Sequence, residues 1–159
     1  MRASLSLVLL LSLSLLTACD KTKPTQPATR NTNSLPVVRV AELLHSLTQA
    51  PLPTTATNVF GSASFLFTTI VNVRFDCSEA DLKSFLRASP VLTDQLVAEK
   101  RAVLGSMSGH AWWQPDVLTS ISGSEQSWRT TNGLVSARLM CGEASDSNRV
   151  TVYLTMVIE

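Results

Sequence analysis

The chain has 159 residues, enough for one domain of ordinary size, and 13 basic against 12 acidic side chains give it a net charge of +1. This near balance provides no electrostatic reason for nucleic acid or any polyanion to bind, and nucleic acid is not expected as a partner. Three cysteines, two histidines and six glycines leave little material for a multi-histidine metal centre or a glycine-rich phosphate loop. No metal and no cofactor is expected.

Met1 and Arg2 precede an apolar run, residues 5–16, rich in leucine and serine. At about twelve residues it suits a signal peptide and falls short of the roughly 20 needed to span a bilayer. The run closes on Leu16-Thr17-Ala18-Cys19, which resembles the lipobox of bacterial lipoproteins. That resemblance implies cleavage between Ala18 and Cys19, removing residues 1–18, and lipidation of Cys19 by a diacylglyceryl group, often with a third acyl chain such as palmitate. Two or more chains anchor a protein stably where one holds it marginally. The implied location is the cell envelope, on the extracytoplasmic (periplasmic) side. Asp20 resembles the signal that retains a lipoprotein in the inner membrane of Gram-negative bacteria.

Residues 19–34 carry no bulky apolar side chain after the cysteine, so they are expected as a disordered tether ahead of a single globular domain, 35–159. Val40, Leu43, Leu44 and Leu47 share one helical stripe before Pro51, which predicts a helix of two to three turns. Residues 52–60 are too rich in proline and threonine for a helix and are expected to run extended. Residues 65–77 read as the best strand, with Val71, Val73, Phe75 and Cys77 alternating against Asn72, Arg74 and Asp76. Ser78 is placed to cap a helix with Glu79 and Asp81 in its first turn, and Pro90 stops it. Leu92, Leu96 and Val103 suggest a second helix, from Pro90 or Thr93 to Leu104 and ended by Gly105, with a loop over 105–117.

Short strands are then expected at 117–121 and 127–131, joined around Gly123, with Asn132-Gly133 as a two-residue hairpin turn. Residues 134–141 and 150–158 complete the set. The predicted class is α+β: a four- or five-stranded, mainly antiparallel sheet with two helices packed on one face. With Cys19 taken by the lipid, Cys77 and Cys141 are left for each other, and both fall on apolar registers. An oxidising compartment favours a disulfide between them, which would place their strands side by side. Closing a loop of roughly 64 residues would stabilise the domain by about 4 kcal/mol.

No catalytic motif emerges. The run Gly105-Ser106-Met107-Ser108-Gly109 has methionine where a nucleophile elbow needs serine. Two surfaces could bind a partner: the loop bearing His110, Trp112 and Trp113, and the solvent-side strand register bearing Arg74, Arg138 and Tyr153. The plainer alternative makes one tryptophan a cap on the core and the register an ordinary solvated face.

The mature part also resembles a diffuse group of small, uncharacterised bacterial lipoprotein domains. The shared features are Leu52-Pro53-Thr54-Thr55-Ala56-Thr57-Asn58-Val59, Val73-Arg74-Phe75, the pairs Asp81-Leu82 and Phe85-Leu86, and Trp113-Gln114-Pro115 ahead of a closing hairpin. No activity follows from that resemblance. The expectation is a non-enzymatic, membrane-anchored module for a protein or glycan partner, which includes an inhibitor or immunity protein against an envelope-acting toxin or lysozyme. The rival is a small envelope hydrolase using Asp116, His110 or Glu143, which needs two of these in one cleft.

Overall fold

The structure, a computed structural model, describes residues 33–65, 67–101, 104, 110–131, 133–143 and 149–159. Ala18 and Cys19, Val103, residues 105–109 and Asn132 lie outside the described residues. Among the described residues the chain runs β1 (Asn33–Ser34), α1 (Val37–Thr48), β2 (Thr57–Phe65), β3 (Thr69–Cys77), α2 (Glu79–Ala88), β4 (Val97–Ala98), a single 3-10 turn (Pro115–Val117), β5 (Thr119–Thr130), β6 (Gly133–Glu143) and β7 (Val150–Ile158). The class is α+β, as expected. One antiparallel sheet holds the strands in the order β1-β2-β3-β7-β6-β5-β4. Five strands are long, and the two-residue pairings β1 and β4 extend the sheet to seven, beyond the four or five expected.

The chain's last strand lies in the middle of the sheet. Residues 151–156 of β7 are buried on both sides, which is why this strand reads as a near-continuous run of β-branched and apolar residues rather than an alternation. Its neighbours alternate. Val71, Val73, Phe75 and Cys77 of β3, Val152, Leu154 and Met156 of β7, and Val135, Ala137, Leu139 and Cys141 of β6 form the main core. Val40 and Leu44 of α1 and Leu82, Phe85 and Leu86 of α2 belong to the same cluster. Phe75 meets Phe85 edge-on, ring centroids 5.9 Å apart.

Local signals account for both helices. The Ser78 hydroxyl accepts the Asp81 amide hydrogen at 3.1 Å, and Glu79 and Asp81 sit in the first turn of α2, where the helix dipole favours acids. Thr55 ties this end down, its hydroxyl donating to the Asp81 carboxylate and accepting from the Ser78 amide. Helix α1 closes with Gln49 in the left-handed conformation, its amide donating to the His45 carbonyl at 2.8 Å. The helix crosses β2 at Gly61, where an added Cβ would stand 2.5 Å from a methyl carbon of Val40. A larger residue there would push α1 off the sheet.

Several expectations are corrected. The strand predicted over 65–77 is two strands: Phe65 ends β2, and β3 begins at Thr69 after a hairpin bend. Asn33 and Ser34, assigned to the tether, pair with Ala63 and Ser62, because backbone pairing at a sheet edge requires no apolar side chain. Strand β5 is continuous through Gly123, with an irregularity between Thr119 and Ser122. Its hairpin partner begins at Gly133, which pairs with Thr130 and has φ +133°. A Cβ at Gly133 would collide with the Glu159 carbonyl, so this glycine is required on two counts.

The described residues of the segment 93–104 are not helical. Ser89 is the reason: its hydroxyl donates to the Thr48 carbonyl at 2.6 Å and accepts the amides of Val91 and Leu92 at 3.3 and 3.0 Å. That bracket turns the chain back onto the core. Leu92 is buried and Leu96 partly buried from an irregular path, so their spacing of four arises without a helix.

The cysteines share the core face as their registers predicted, but their strands are not neighbours. Cys77 pairs with Val150 and Cys141 with Val152, so β7 runs between them. Two strand spacings amount to about 10 Å, beyond the roughly 7 Å over which Cα atoms can be bridged without backbone movement. Both are buried free thiols in this structure.

Candidate functional site

The other face of the sheet carries the side chains that alternate away from the core: Phe60 of β2, Asn72, Arg74 and Asp76 of β3, Thr151, Tyr153 and Thr155 of β7, and Arg138 and Met140 of β6. A second, smaller cluster lies here, built on Trp113, Leu118, Met140 and Tyr153. Residues 110–118 cross this face ahead of β5. The Trp113 amide donates to the His110 carbonyl at 3.0 Å, and the Gln114 amide reaches the Tyr153 hydroxyl at 3.4 Å. Pro115 then opens the 3-10 turn that leads into β5.

The aromatic rings pack in series. Trp113 stands edge-on against Tyr153 at 5.0 Å and against Trp112 at 5.6 Å. Trp112 stacks on Phe60 at 5.7 Å and 10°, and His110 tilts onto Trp112 at 5.4 Å. The Arg74 guanidinium lies between the Phe60 and Tyr153 rings, 5.6 and 5.9 Å from their centroids, in cation–π range of both.

Asp76 anchors the arrangement from below. Its carboxylate accepts from Asn58 and Thr151 at 2.7 Å each and from Arg74 at 3.4 Å. Next along the strands, Thr155 donates to the Asn72 side-chain carbonyl at 2.8 Å. Arg149 donates to the backbone carbonyls of Thr55 and Asp76, closing the end of the face. The buried Arg74 Nε has no hydrogen-bond partner among the described residues. Burial pushes the Tyr153 phenol above its ordinary pKa, with Arg74 opposing.

The structure therefore brings together His110, Trp112, Trp113, Arg74 and Tyr153, which the sequence places in two separate segments. Their roles divide. Trp113 and Tyr153, 7% and 2% exposed, are core, so the open-face reading of Tyr153 and the binding reading of Trp113 are corrected. Asn72, expected in solvent, is buried as well. Trp112 and His110 are half-buried, and Phe60 is 37% exposed, so these three form the accessible rim. Arg138 shares the face one register step away, opposite Thr155, and approaches Glu125 at 3.9 Å. Sequence reasoning missed Phe60 and Asp76. Nothing local marks Phe60, whose stacking partner lies some 50 residues further along the chain.

The groups proposed for a hydrolase do not share one cleft. Glu143 lines a cleft of about 360 Å³ on the helix side, with Glu79, Lys83, Asp94 and Cys141. His110 packs on Trp112 across the sheet, and Asp116 is exposed beside Arg101 at 3.9 Å. Burial and the Glu79 carboxylate push the Cys141 thiol up to about 11, the reverse of nucleophile activation. No group of three or more metal-ligating side chains occurs among the described residues, and none of their helices is long and apolar enough to cross a membrane.

Comparison with known proteins finds no family model, no curated protein and no solved structure that matches the chain.

Proposed function

We propose that this is a lipid-anchored protein of the bacterial envelope, held by Cys19, and that its domain is a non-enzymatic binding module for a protein or glycan partner. Both helices pack on one face of the sheet, and on the opposite face the rim of Phe60, Trp112 and His110 is left to receive the partner. The observation that carries the reading is the Phe60–Trp112 stack with Arg74 beneath it. A flat aromatic pair at a partly exposed rim suits a sugar ring or a partner's side chain, with the Arg74 guanidinium supplying a cation beside it.

The test compares Trp112→Ala with Trp113→Ala in crosslinked capture from intact envelopes and in titration with soluble peptidoglycan fragments. Trp112→Ala is expected to keep the unfolding midpoint within a few degrees and to weaken capture at least tenfold. Trp113→Ala should lower the midpoint by more. Capture unchanged by Trp112→Ala would end the assignment of the site.

A further inference from the structure

The β2–β3 hairpin ends in two largely exposed phenylalanines. Phe67 is fully exposed and Phe65 is 67% exposed, the largest exposures of any bulky apolar residue described. Single exposed apolar residues are ordinary, but these two share one tip, and the sequence has no charged side chain from Pro51 to Val73. The tip also lies where the chain enters the domain. Strand β1 runs antiparallel to β2, pairing Ser34 with Ser62 and Asn33 with Ala63. Passing backward from Ser34 to Asn33 therefore advances along β2 toward Phe65, so the chain leading to Cys19 leaves the sheet at the end that bears the tip.

We propose that Phe65 and Phe67 form a membrane-docking tip that inserts at the headgroup–acyl boundary of the bilayer carrying the anchor. The proposal rests on the lipid-anchor reading. About fourteen residues separate Cys19 from Asn33, a reach of at most about 50 Å, so the anchor keeps the tip close to one bilayer. Exposed aromatic side chains suit that boundary, where a second weak contact adds to the acyl chains. Docking there would stand the strands end-on to the membrane and hold the Phe60–Trp112 rim away from the lipid, along the side of the domain.

The test uses the acylated full chain in vesicles of phosphatidylethanolamine and phosphatidylglycerol. A single fluorophore is attached at Phe67→Cys or, for comparison, at Val97→Cys on β4. Both positions are exposed, and Cys77 and Cys141 are buried. The expected result is a blue-shifted emission at 67 and quenching by lipid-borne nitroxide at least threefold stronger than at 97. Equal quenching at the two positions, with an acyl group found on Cys19 by mass spectrometry, overturns docking and leaves the anchor standing. Strong quenching at 67 with no acyl group on Cys19 overturns anchor-held docking and leaves a tip that binds bilayers on its own. Shielding at 67 that needs no vesicles and rises with protein concentration identifies a second copy of the chain as the occupant, and overturns the proposal.

Discussion

The two faces of the same strands are stabilised by different physics. On the helix side, Val71, Val73, Phe75, Leu154 and Leu139 interlock with residues of α1 and α2, and shape and apolar area dominate. On the other side the buried residues include Asn72, Asp76, Thr151 and Thr155, each tied to a partner across the strands, with a smaller cluster of Trp113, Leu118, Met140 and Tyr153 beside them. A dry core tolerates exchange of one apolar group for another of similar volume. A hydrogen-bonded face does not tolerate loss of one partner, because the survivor is left buried and unsatisfied. The difference teaches why the polar face is the better place for a site: its groups are already oriented, and its upper layer is only partly closed.

The largest effect should come from the dry side. Phe75→Ala removes a fully buried ring that meets Phe85 and is expected to cost about 3–5 kcal/mol in urea unfolding. A loss of less than 1 kcal/mol would mean that the helix-side core is not packed as described. Asp76→Ala is expected to cost about 1–3 kcal/mol, since it strands the donors of Thr151, Asn58 and Arg74. If Asp76→Ala matched Phe75→Ala in cost while Thr151→Val were neutral, the hydrogen bonds would not be what holds the polar face.

The thiols probe the helix side by another route. Burial pushes Cys77 up to about 12, with the Asp81 charge adding to it, and Cys141 up to about 11, against an ordinary value of 9.0. A raised folded-state pKa means that the unfolded chain ionises first. The stabilisation is fully present below about pH 9 and is lost as the pH rises toward 11–12. At pH 10 each thiol should weaken the fold by roughly 1 kcal/mol relative to pH 8, a loss that Cys77→Ala and Cys141→Ala each remove in part. Thiol reagent at pH 8 should label neither cysteine in the folded protein and both after denaturation without reductant. No labelling in the denatured state would restore the disulfide and require β7 to leave the centre of the sheet. The smallest effect belongs to a helix end away from both faces: Ser78→Ala should cost about 1 kcal/mol through loss of the cap on α2.

Much of the fold was legible wherever a local pattern and its burial agreed. The alternation in β3, the Ser78 cap, the stripe of α1 and the glycine after Asn132 all specify their elements from neighbouring residues. The segment after Pro90 was misread because Leu92 and Leu96 fit a helical stripe, while Ser89, bonded to Thr48 some 40 residues earlier, imposes a turn. The candidate site was half legible. Trp112 and Trp113 stood out as a pair, but two adjacent tryptophans look alike in a sequence. Only Tyr153 beneath one and Phe60 beside the other make the first accessible and the second core.

The sequence by itself determined the α+β class, the polar and apolar registers of the strands and the ends of two helices, because each depends on residues a few positions apart. It also carries the expectation of a lipid anchor at Cys19 in its first twenty residues. The tertiary structure decided the strand order, and with it the rest. Inserting β7 between β3 and β6 separates Cys77 from Cys141, sets Tyr153 beside Arg74 and lets Trp113 pack on Tyr153. Strand order is a choice among long-range pairings of similar local quality. It is settled by which arrangement buries both faces of the most apolar strand, a property that no short window of sequence contains.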